Sequence, residues 1–191
     1  MGLIFFGFGF IVVSIFIKKE DGGPAFYKGL RVGKDGKPFE MLKFRTMVVN
    51  AEKFGASSTS ADDARVTDVG RLLRKYKLDE LPQLINVLKG EMSFVGPRPQ
   101  VPWAVELYNE DQRKLLTVRP GITDYASIKF RNEGELLKGS KDPDRDYLEK
   151  IAPEKIRLGI DYIDNMSLVT DLRIILATVK ALFENPERRE A

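Results

Sequence analysis

The first seventeen residues restrict the possible folds of this chain more than any other segment, because Met1 to Ile17 are uncharged and almost entirely apolar. Lys18, Lys19 and Glu20 end the run. As a helix it would extend roughly 25 Å, less than the hydrocarbon core of about 30 Å that a spanning helix crosses. A cleaved signal peptide is disfavoured, since the basic residues follow the apolar run and no small-residue cleavage site appears. The sequence therefore predicts a membrane-inserted helix over residues 1–20, held at a cytoplasmic face by its lysines.

Residues 21–191 suffice for one further domain and are too few for two. The chain has no cysteine and no histidine, which excludes disulfides, thiolate nucleophiles and the usual zinc sites. Acid, base or metal chemistry must therefore use Asp, Glu, Lys, Arg or Tyr. The 31 Lys and Arg residues against 28 Asp and Glu give a net charge of +3, which does not indicate a nucleic-acid partner.

A β-hairpin is predicted between Ala25 and Met47, because residues 34–37 (Lys-Asp-Gly-Lys) form a turn signal between two extended runs. Side chains on a strand alternate between its faces, so Lys43 and Arg45 are expected side by side on one face. That face is either a phosphate-binding surface or an ordinary solvated one.

Polar, irregular segments at residues 55–68 and 132–146 are predicted to be loops, the first of them a candidate lid. Thr67 or Asp68 is expected to cap the helix that follows the first loop. Helices are predicted over residues 70–76, 80–89 and 102–116, over 147–163 with a break at Pro153, and from about residue 167 onward.

Two of these helices carry specific expectations. The helix after residue 79 should begin with Asp79 as its N-cap, end at Gly90 and bury an apolar stripe of Leu81, Leu84, Ile85 and Leu88. The last helix has an apolar stripe that either docks on the core or lies in a membrane interface. The members of that stripe are Leu172, Ile175, Leu176, Val179, Leu182 and Phe183.

The adjacent Asp79 and Glu80 are the strongest candidates for chemistry. A helix start attracts phosphate through its free N–H groups, and in a chain without His or Cys an aspartate is a natural nucleophile toward phosphorus. The neighbouring glutamate would hold a divalent cation. The structural alternative is that both are ordinary first-turn charges. Candidate cations for the developing phosphate charge are Lys43, Arg45, Arg74 and Arg98.

Four ordered blocks resemble the bacterial sugar transferase family, the monotopic phosphoglycosyl transferases. They are residues 43–47 (KFRTM), 78–84 (LDELPQL), 86–99 (NVLKGEMSFVGPRP) and 119–123 (RPGIT). The resemblance covers nearly the whole chain. It implies an α+β fold, mostly helical, with a small β-hairpin, a re-entrant N-terminal membrane helix and amphipathic interfacial helices. Residues 21–191 would form the catalytic domain on the cytoplasmic face of the bacterial inner membrane.

The resemblance also implies a reaction. Asp79 would attack the sugar-bearing phosphorus of a UDP-sugar and expel UMP, and polyprenyl (undecaprenyl) phosphate would then take the phosphosugar in a ping-pong mechanism. Glu80 would help to hold magnesium (Mg²⁺). The phosphate-binding residues that the resemblance implies are Lys43, Arg98 and Arg74. Arg45, Arg119 and Arg131 are further candidates for phosphate binding. Membrane lipid is an expected partner, and a homodimer is left open.

The chain departs from the family pattern at two places. Gly7 and Phe8 stand where relatives have the Ser-Pro that bends the re-entrant helix, and the basic segment that usually precedes this helix is expected to be truncated here. Residues 124–127 (Asp-Tyr-Ala-Ser) differ from the usual sequence after the RPGIT-like block. That difference indicates either another sugar pocket or neutral drift. The rival functions are a metal-dependent membrane diphosphate phosphohydrolase and a non-catalytic membrane adapter.

Overall fold

The computed structural model describes the backbone of residues 2–183 and the side chains of residues 9–51 and 53–183. Within that part the fold is α+β, as predicted, with short strands in two two-stranded sheets. The helices are α1 Gly2–Asp21, α2 Asp68–Lys75, α3 Gln83–Leu88, α4 Pro102–Glu106, α5 Tyr125–Lys129, α6 Glu133–Leu136, α7 Pro143–Asp146, α8 Ala152–Asp164 and α9 Leu168–Phe183. The strands are β1 Phe26–Val32, β2 Pro38–Phe44, β3 Ser93–Val95 and β4 Gly121–Thr123.

The predicted hairpin is confirmed. Strands β1 and β2 pair antiparallel from Phe26 opposite Phe44 to Val32 opposite Pro38. Asp35 and Gly36 turn the chain with φ of 59° and 73°, a left-handed conformation that glycine adopts without strain and aspartate tolerates.

Helix α1 forms where the apolar run predicts it and packs against the hairpin. Ile17 is buried with Phe44, whose ring stacks on that of Phe26 with centroids 5.3 Å apart. Arg45 donates to both carboxylate oxygens of Asp21, at 2.5 and 2.6 Å. Among the described residues, no helix combines the length and the apolarity needed to cross a bilayer.

Helix α2 lies unusually close to the chain that leaves β2. Thr67 caps it as expected, accepting a hydrogen bond from the Gly70 amide at 3.0 Å. A Cβ added to Gly70 would lie 2.1 Å from the backbone oxygen of Thr46, so only glycine allows this approach. One turn later the Arg74 Nε donates to Thr46 Oγ1 at 2.8 Å.

Helix α3 buries a polar face, so the predicted apolar stripe is wrong at Ile85 and Leu88, whereas Leu81 packs on the core. Leu88 is 83% exposed and Ile85 is also exposed, whereas Gln83 and Asn86 are fully buried. The physical reason is that the Asn86 side chain pairs with the outer edge of β2. Its Oδ1 accepts from the Leu42 amide at 3.0 Å, and its Nδ2 donates to the Glu40 carbonyl at 2.8 Å. The predicted end at Gly90 is confirmed by its φ of 76°.

The predicted helix over residues 102–116 is wrong in part, because it begins at Pro102 but stops at Glu106, and a separate 3₁₀ segment, Gln112–Thr117, follows. The Asn109 side chain accepts from the Gln112 amide, and the Gln112 side chain accepts from the Asn109 amide. This reciprocal capping box starts a new helical turn.

The loop predicted for residues 55–68 is confirmed up to Thr67, since helix α2 begins at Asp68. Hydrogen bonds join this loop to helix α7. The amides of Ser57 and Ser58 donate to the Asp144 carboxylate at 2.9 and 2.6 Å. The loop predicted for residues 132–146 is wrong in part, because it contains α6 and α7.

The C-terminal half carries the second sheet and the last two helices. Strands β3 and β4 pair in parallel, with Val95 opposite Thr123, which brings the 96–99 segment beside the 119–123 block. Val95 is buried with Tyr162 of α8 and Ile174 of α9. The predicted helix of residues 147–163 is present as a π-helical turn, Tyr147–Ile151, followed by α8 with Pro153 in its first turn.

Helix α9 docks through a face other than the predicted one. Ile174 and Ala181 are its buried residues. The predicted stripe is largely solvent-exposed, at 60% for Leu172, 68% for Leu176 and 87% for Phe183. Apart from Ile175, which packs on the core of Val95, Tyr162 and Ile174, docking of this stripe is therefore wrong within the described residues.

We expect Gly70→Ala to destabilise the protein by about 2 kcal/mol, because the new methyl group meets rigid backbone and overpacking costs about 1–3 kcal/mol. The free energy of unfolding by urea would measure this. Arg71→Ala is the matched control in the same helix, since Arg71 is exposed and makes only a surface ion pair with Asp68. Equal stability of the two variants would contradict this account of the α2 contact.

Candidate active site

Asp79 lies inside a 3₁₀ turn, Leu78–Glu80, that precedes helix α3. The prediction that it caps the helix is wrong, because the chain enters the turn through Lys77 in a left-handed conformation, with φ of 56°. Asp79 is only 6% exposed. Its Oδ1 is buried without a hydrogen-bond partner among the described residues, and its Oδ2 is 4.0 Å from the Lys43 Nζ. A carboxylate in this environment is unusual for a merely structural aspartate.

Glu80 is held between two cations. Arg98 donates to both of its carboxylate oxygens, at 3.1 and 2.5 Å. The Lys43 Nζ donates to Oε1 at 2.9 Å. Burial favours the neutral acid, but the charges of Arg98 and Lys43 outweigh it and hold the pKa of Glu80 well below its usual range. Glu80 is therefore ionised, and it raises the pKa of Arg98 in turn.

Lys43 reaches both carboxylates from strand β2. Burial lowers the pKa of its ammonium; Glu80 and Asp79 oppose that shift, and Arg98 adds to it. The side chain remains 20% exposed, so part of the ammonium faces solvent. A cation in this position balances the dyad and stays accessible to an anionic ligand.

Arg74 approaches the dyad from helix α2. Burial lowers its pKa, and the Asp79 carboxylate opposes that shift more than any other charge does. The structure therefore brings Lys43, Arg74 and Arg98 together around Asp79 and Glu80, from three segments that lie apart in sequence.

The other three arginines are placed differently. Arg45 does not share a site with Lys43, because the strand ends at Phe44 and the Arg45 guanidinium turns to Asp21 and to the carbonyls of Pro24 and Met47. Arg131 donates to the Ala181 carbonyl in α9. The backbone of Arg119 packs beside Gly96. Phosphate binding by these three residues stays a prediction.

The Asp-Tyr-Ala-Ser difference has a local structural role. The Asp124 side chain caps α5 by accepting from the Ser127 amide at 2.6 Å, and Asp124 is 2% exposed. The residue is therefore a helix cap, and the alternative of another sugar pocket stays untested.

Sequence reasoning missed Gln83 and Asn86 as buried polar residues. The signal was present, because residues 79, 83 and 86 are spaced i, i+4 and i+7 and share one helix face. The apolar residues at the neighbouring positions favoured the other face of the helix as the buried one.

The donor set fits a magnesium ion bound jointly with substrate. Mg²⁺ commonly uses one or two carboxylates together with substrate phosphates and water. Glu80 offers an ionised carboxylate next to Asp79, and its two oxygens also accept from Arg98 and Lys43. Within residues 9–51 and 53–183, no group of three or more acidic side chains forms a metal cage made by the protein alone.

Comparisons with known proteins agree with the four sequence blocks. The bacterial sugar transferase family profile matches residues 1–185. The sugar transferase EpsL of Bacillus subtilis is 40% identical over 164 residues, which cover 86% of this chain and 72% of that protein. Two UDP-glucose:undecaprenyl-phosphate glucose-1-phosphate transferases, from Caulobacter vibrioides and Escherichia coli, are 37% and 36% identical. These matches cover 90% and 91% of this chain, and 61% and 36% of the two proteins. The chain belongs to the bacterial sugar transferase family.

Proposed function

We propose that this enzyme transfers a sugar-1-phosphate from a UDP-sugar to polyprenyl phosphate, with Asp79 as a covalent nucleophile. The observation that carries the proposal is the Asp79 carboxylate, which is buried beside Lys43 with one oxygen unpartnered. Two relatives named as UDP-glucose:undecaprenyl-phosphate glucose-1-phosphate transferases support the same reaction class.

In the first step an Asp79 oxygen attacks the sugar-bearing phosphorus, and the bond from that phosphorus to the bridging oxygen breaks. The bridging oxygen leaves with its electron pair as part of UMP. The product is a mixed anhydride between the Asp79 carboxyl group and the sugar phosphate. Lys43 and Arg98 would stabilise the charge that develops on the phosphate oxygens.

In the second step an oxygen of polyprenyl phosphate attacks the same phosphorus. The bond to Asp79 breaks, the carboxylate is released, and a polyprenyl diphosphate sugar forms. Glu80 would keep Lys43 and Arg98 in place between the two steps, since it pairs with both. The dyad thus separates two tasks, attack by Asp79 and positioning of the cations by Glu80.

Magnesium would be held by Glu80 together with the donor phosphates. When bound, it supplies positive charge that neutralises phosphate oxygens. The ionised state of Glu80 suits this role, because a metal ligand must be deprotonated.

The function is tested by incubating the full chain in detergent with UDP-glucose, UDP-galactose or UDP-N-acetylgalactosamine, with and without undecaprenyl phosphate. We expect one donor to give steady UMP release only with the lipid, and Asp79→Asn to lower that release by more than about 1,000-fold because an amide is a poor nucleophile. Intact-mass measurement with the donor alone should show a phosphosugar adduct on the wild type only. Asp68→Asn, at a highly exposed aspartate, is the control.

Three results would count against this function. Steady UMP release without the lipid indicates a phosphohydrolase. No release with any of the donors favours a non-catalytic adapter. Turnover retained in Asp79→Asn removes Asp79 from the mechanism.

We expect Glu80→Gln to lower the rate by about 100-fold and to weaken its dependence on magnesium, because the amide is a poor ligand for a hard cation. Thermal melting with and without MgCl₂ and UDP gives a second readout, since metal bound to the folded state raises its melting temperature. Glu40→Gln is the matched control, because Glu40 makes only an exposed pair with Lys28. An unchanged magnesium response in both assays would refute metal binding by Glu80.

We also propose that the protein acts on the cytoplasmic face of the bacterial inner membrane, attached through α1 and the exposed face of α9. Leu172, Leu176 and Phe183 project from α9 away from the buried Ile174. Arg173 lies beside these residues, where it would face lipid headgroups.

Leu176→Glu should weaken co-sedimentation with phosphatidylglycerol vesicles several-fold, because it places a charge in the apolar face. The melting temperature should be unchanged, since Leu176 is exposed. Gln112→Glu is the control: it adds the same charge elsewhere and retains the capping box. Equal sedimentation of both variants would show that α9 does not touch the vesicle.

A further inference from the structure

Gln83 is a fully buried side chain whose polar atoms make no contact that explains its burial. It is 0% exposed, and both Nε2 and Oε1 lack a hydrogen-bond partner among the described residues. Leaving a buried polar atom unpaired costs about 1–3 kcal/mol. An orphaned buried amide in a native protein is therefore expected to have a partner in another state of the protein.

Asn86 provides the internal comparison. It is equally buried and lies three residues further along the same helix, but its amide is fully engaged with strand β2 and with Glu91. Its burial is explained by structure alone. The burial of Gln83 is not.

Gln83 lies on the same helical run as Asp79, the proposed nucleophile. Leu81 and Pro82 have helical φ and ψ, so the 3₁₀ turn and α3 form one helical run in which Gln83 follows Asp79 by four residues. Side chains four apart in a helix lie on the same face, with Cβ atoms about 5–6 Å apart. Asp79 meets Lys43 on β2, and Asn86 meets the same strand at Leu42. Gln83 therefore lies between these two contacts, next to Asp79.

The unpartnered atoms are complementary. Asp79 Oδ1 lacks a donor, and Gln83 Nε2 lacks an acceptor. Both lie buried on one helix face, where side chains four residues apart are neighbours. A hydrogen bond from the amide to the carboxylate would satisfy both atoms.

We propose that Gln83 is a positioning residue for Asp79: its Nε2 donates to Oδ1 of Asp79 and leaves Oδ2, beside Lys43, as the attacking oxygen. This inference rests on the proposed function. In the first step the hydrogen bond fixes which oxygen forms the bond to phosphorus. In the second step the same bond stabilises the carboxylate as it leaves, when the lipid phosphate takes over the phosphosugar.

The test compares Gln83→Leu with Asn86→Leu in the full chain. Both changes replace a buried amide by an apolar group of similar size. For Gln83→Leu we expect kcat to fall about 10- to 100-fold and KM for the UDP-sugar to stay within about threefold, since the lost bond acts on the nucleophile. Measured without donor, its melting temperature should stay within about 2 °C of the wild type or rise, because the bond to Asp79 forms once the donor is bound and the free protein loses no hydrogen bond of Gln83. Asn86→Leu should lower the melting temperature by several degrees.

Either of two results would overturn the assignment. One is a kcat of Gln83→Leu within about threefold of the wild type. The other is a melting temperature that falls as far as that of Asn86→Leu, which would make Gln83 a structural residue. Absence of UMP release from the wild type would instead reject the proposed function, and the melting comparison would still decide whether Gln83 is structural.

Discussion

The placement of the candidate site depends on the Asn86 amide against the outer edge of strand β2. A two-stranded hairpin is marginally stable in water, and each edge leaves backbone groups without partners. Asn86 supplies one donor and one acceptor to that edge. Helix α3 and the turn before it, which carries the two carboxylates, are thereby fixed in register with the strand that carries Lys43. Hydrogen bonds between a side chain and the backbone thus reinforce the apolar contacts that Val87 and Leu81 make with clusters containing residues of β2.

Ion pairs also hold the candidate site together. Glu80 joins Lys43 of the hairpin to Arg98, which follows the second sheet. Removing one side chain of such a cluster destabilises the protein, because the remaining charges are then left without an opposite charge nearby. The same arrangement concentrates positive charge beside the Asp79 carboxylate. Stability and the proposed affinity for phosphates therefore depend on the same three side chains, Lys43, Glu80 and Arg98.

The sequence was most informative where a single residue type had a strong local preference. The Asp35-Gly36 turn, the Thr67 cap and the Gly90 helix end were all predicted correctly, since each follows from backbone chemistry alone. The polar face of α3 and the pairing of β3 with β4 were not, because each depends on a partner distant in sequence. The motif resemblance identified Lys43 and Arg98, whereas strand alternation wrongly grouped Arg45 with them. Alternation fails there because the strand ends one residue earlier.

The ion pair between Arg45 and Asp21 has a mechanical consequence. Arg45 follows Lys43 by two residues, and Asp21 ends helix α1. A tilt of α1, or its rotation about its axis, therefore acts through this ion pair on β2, the strand that holds the Lys43 ammonium beside Asp79. The packing of α1 on the hairpin therefore bears on the position of the Lys43 ammonium.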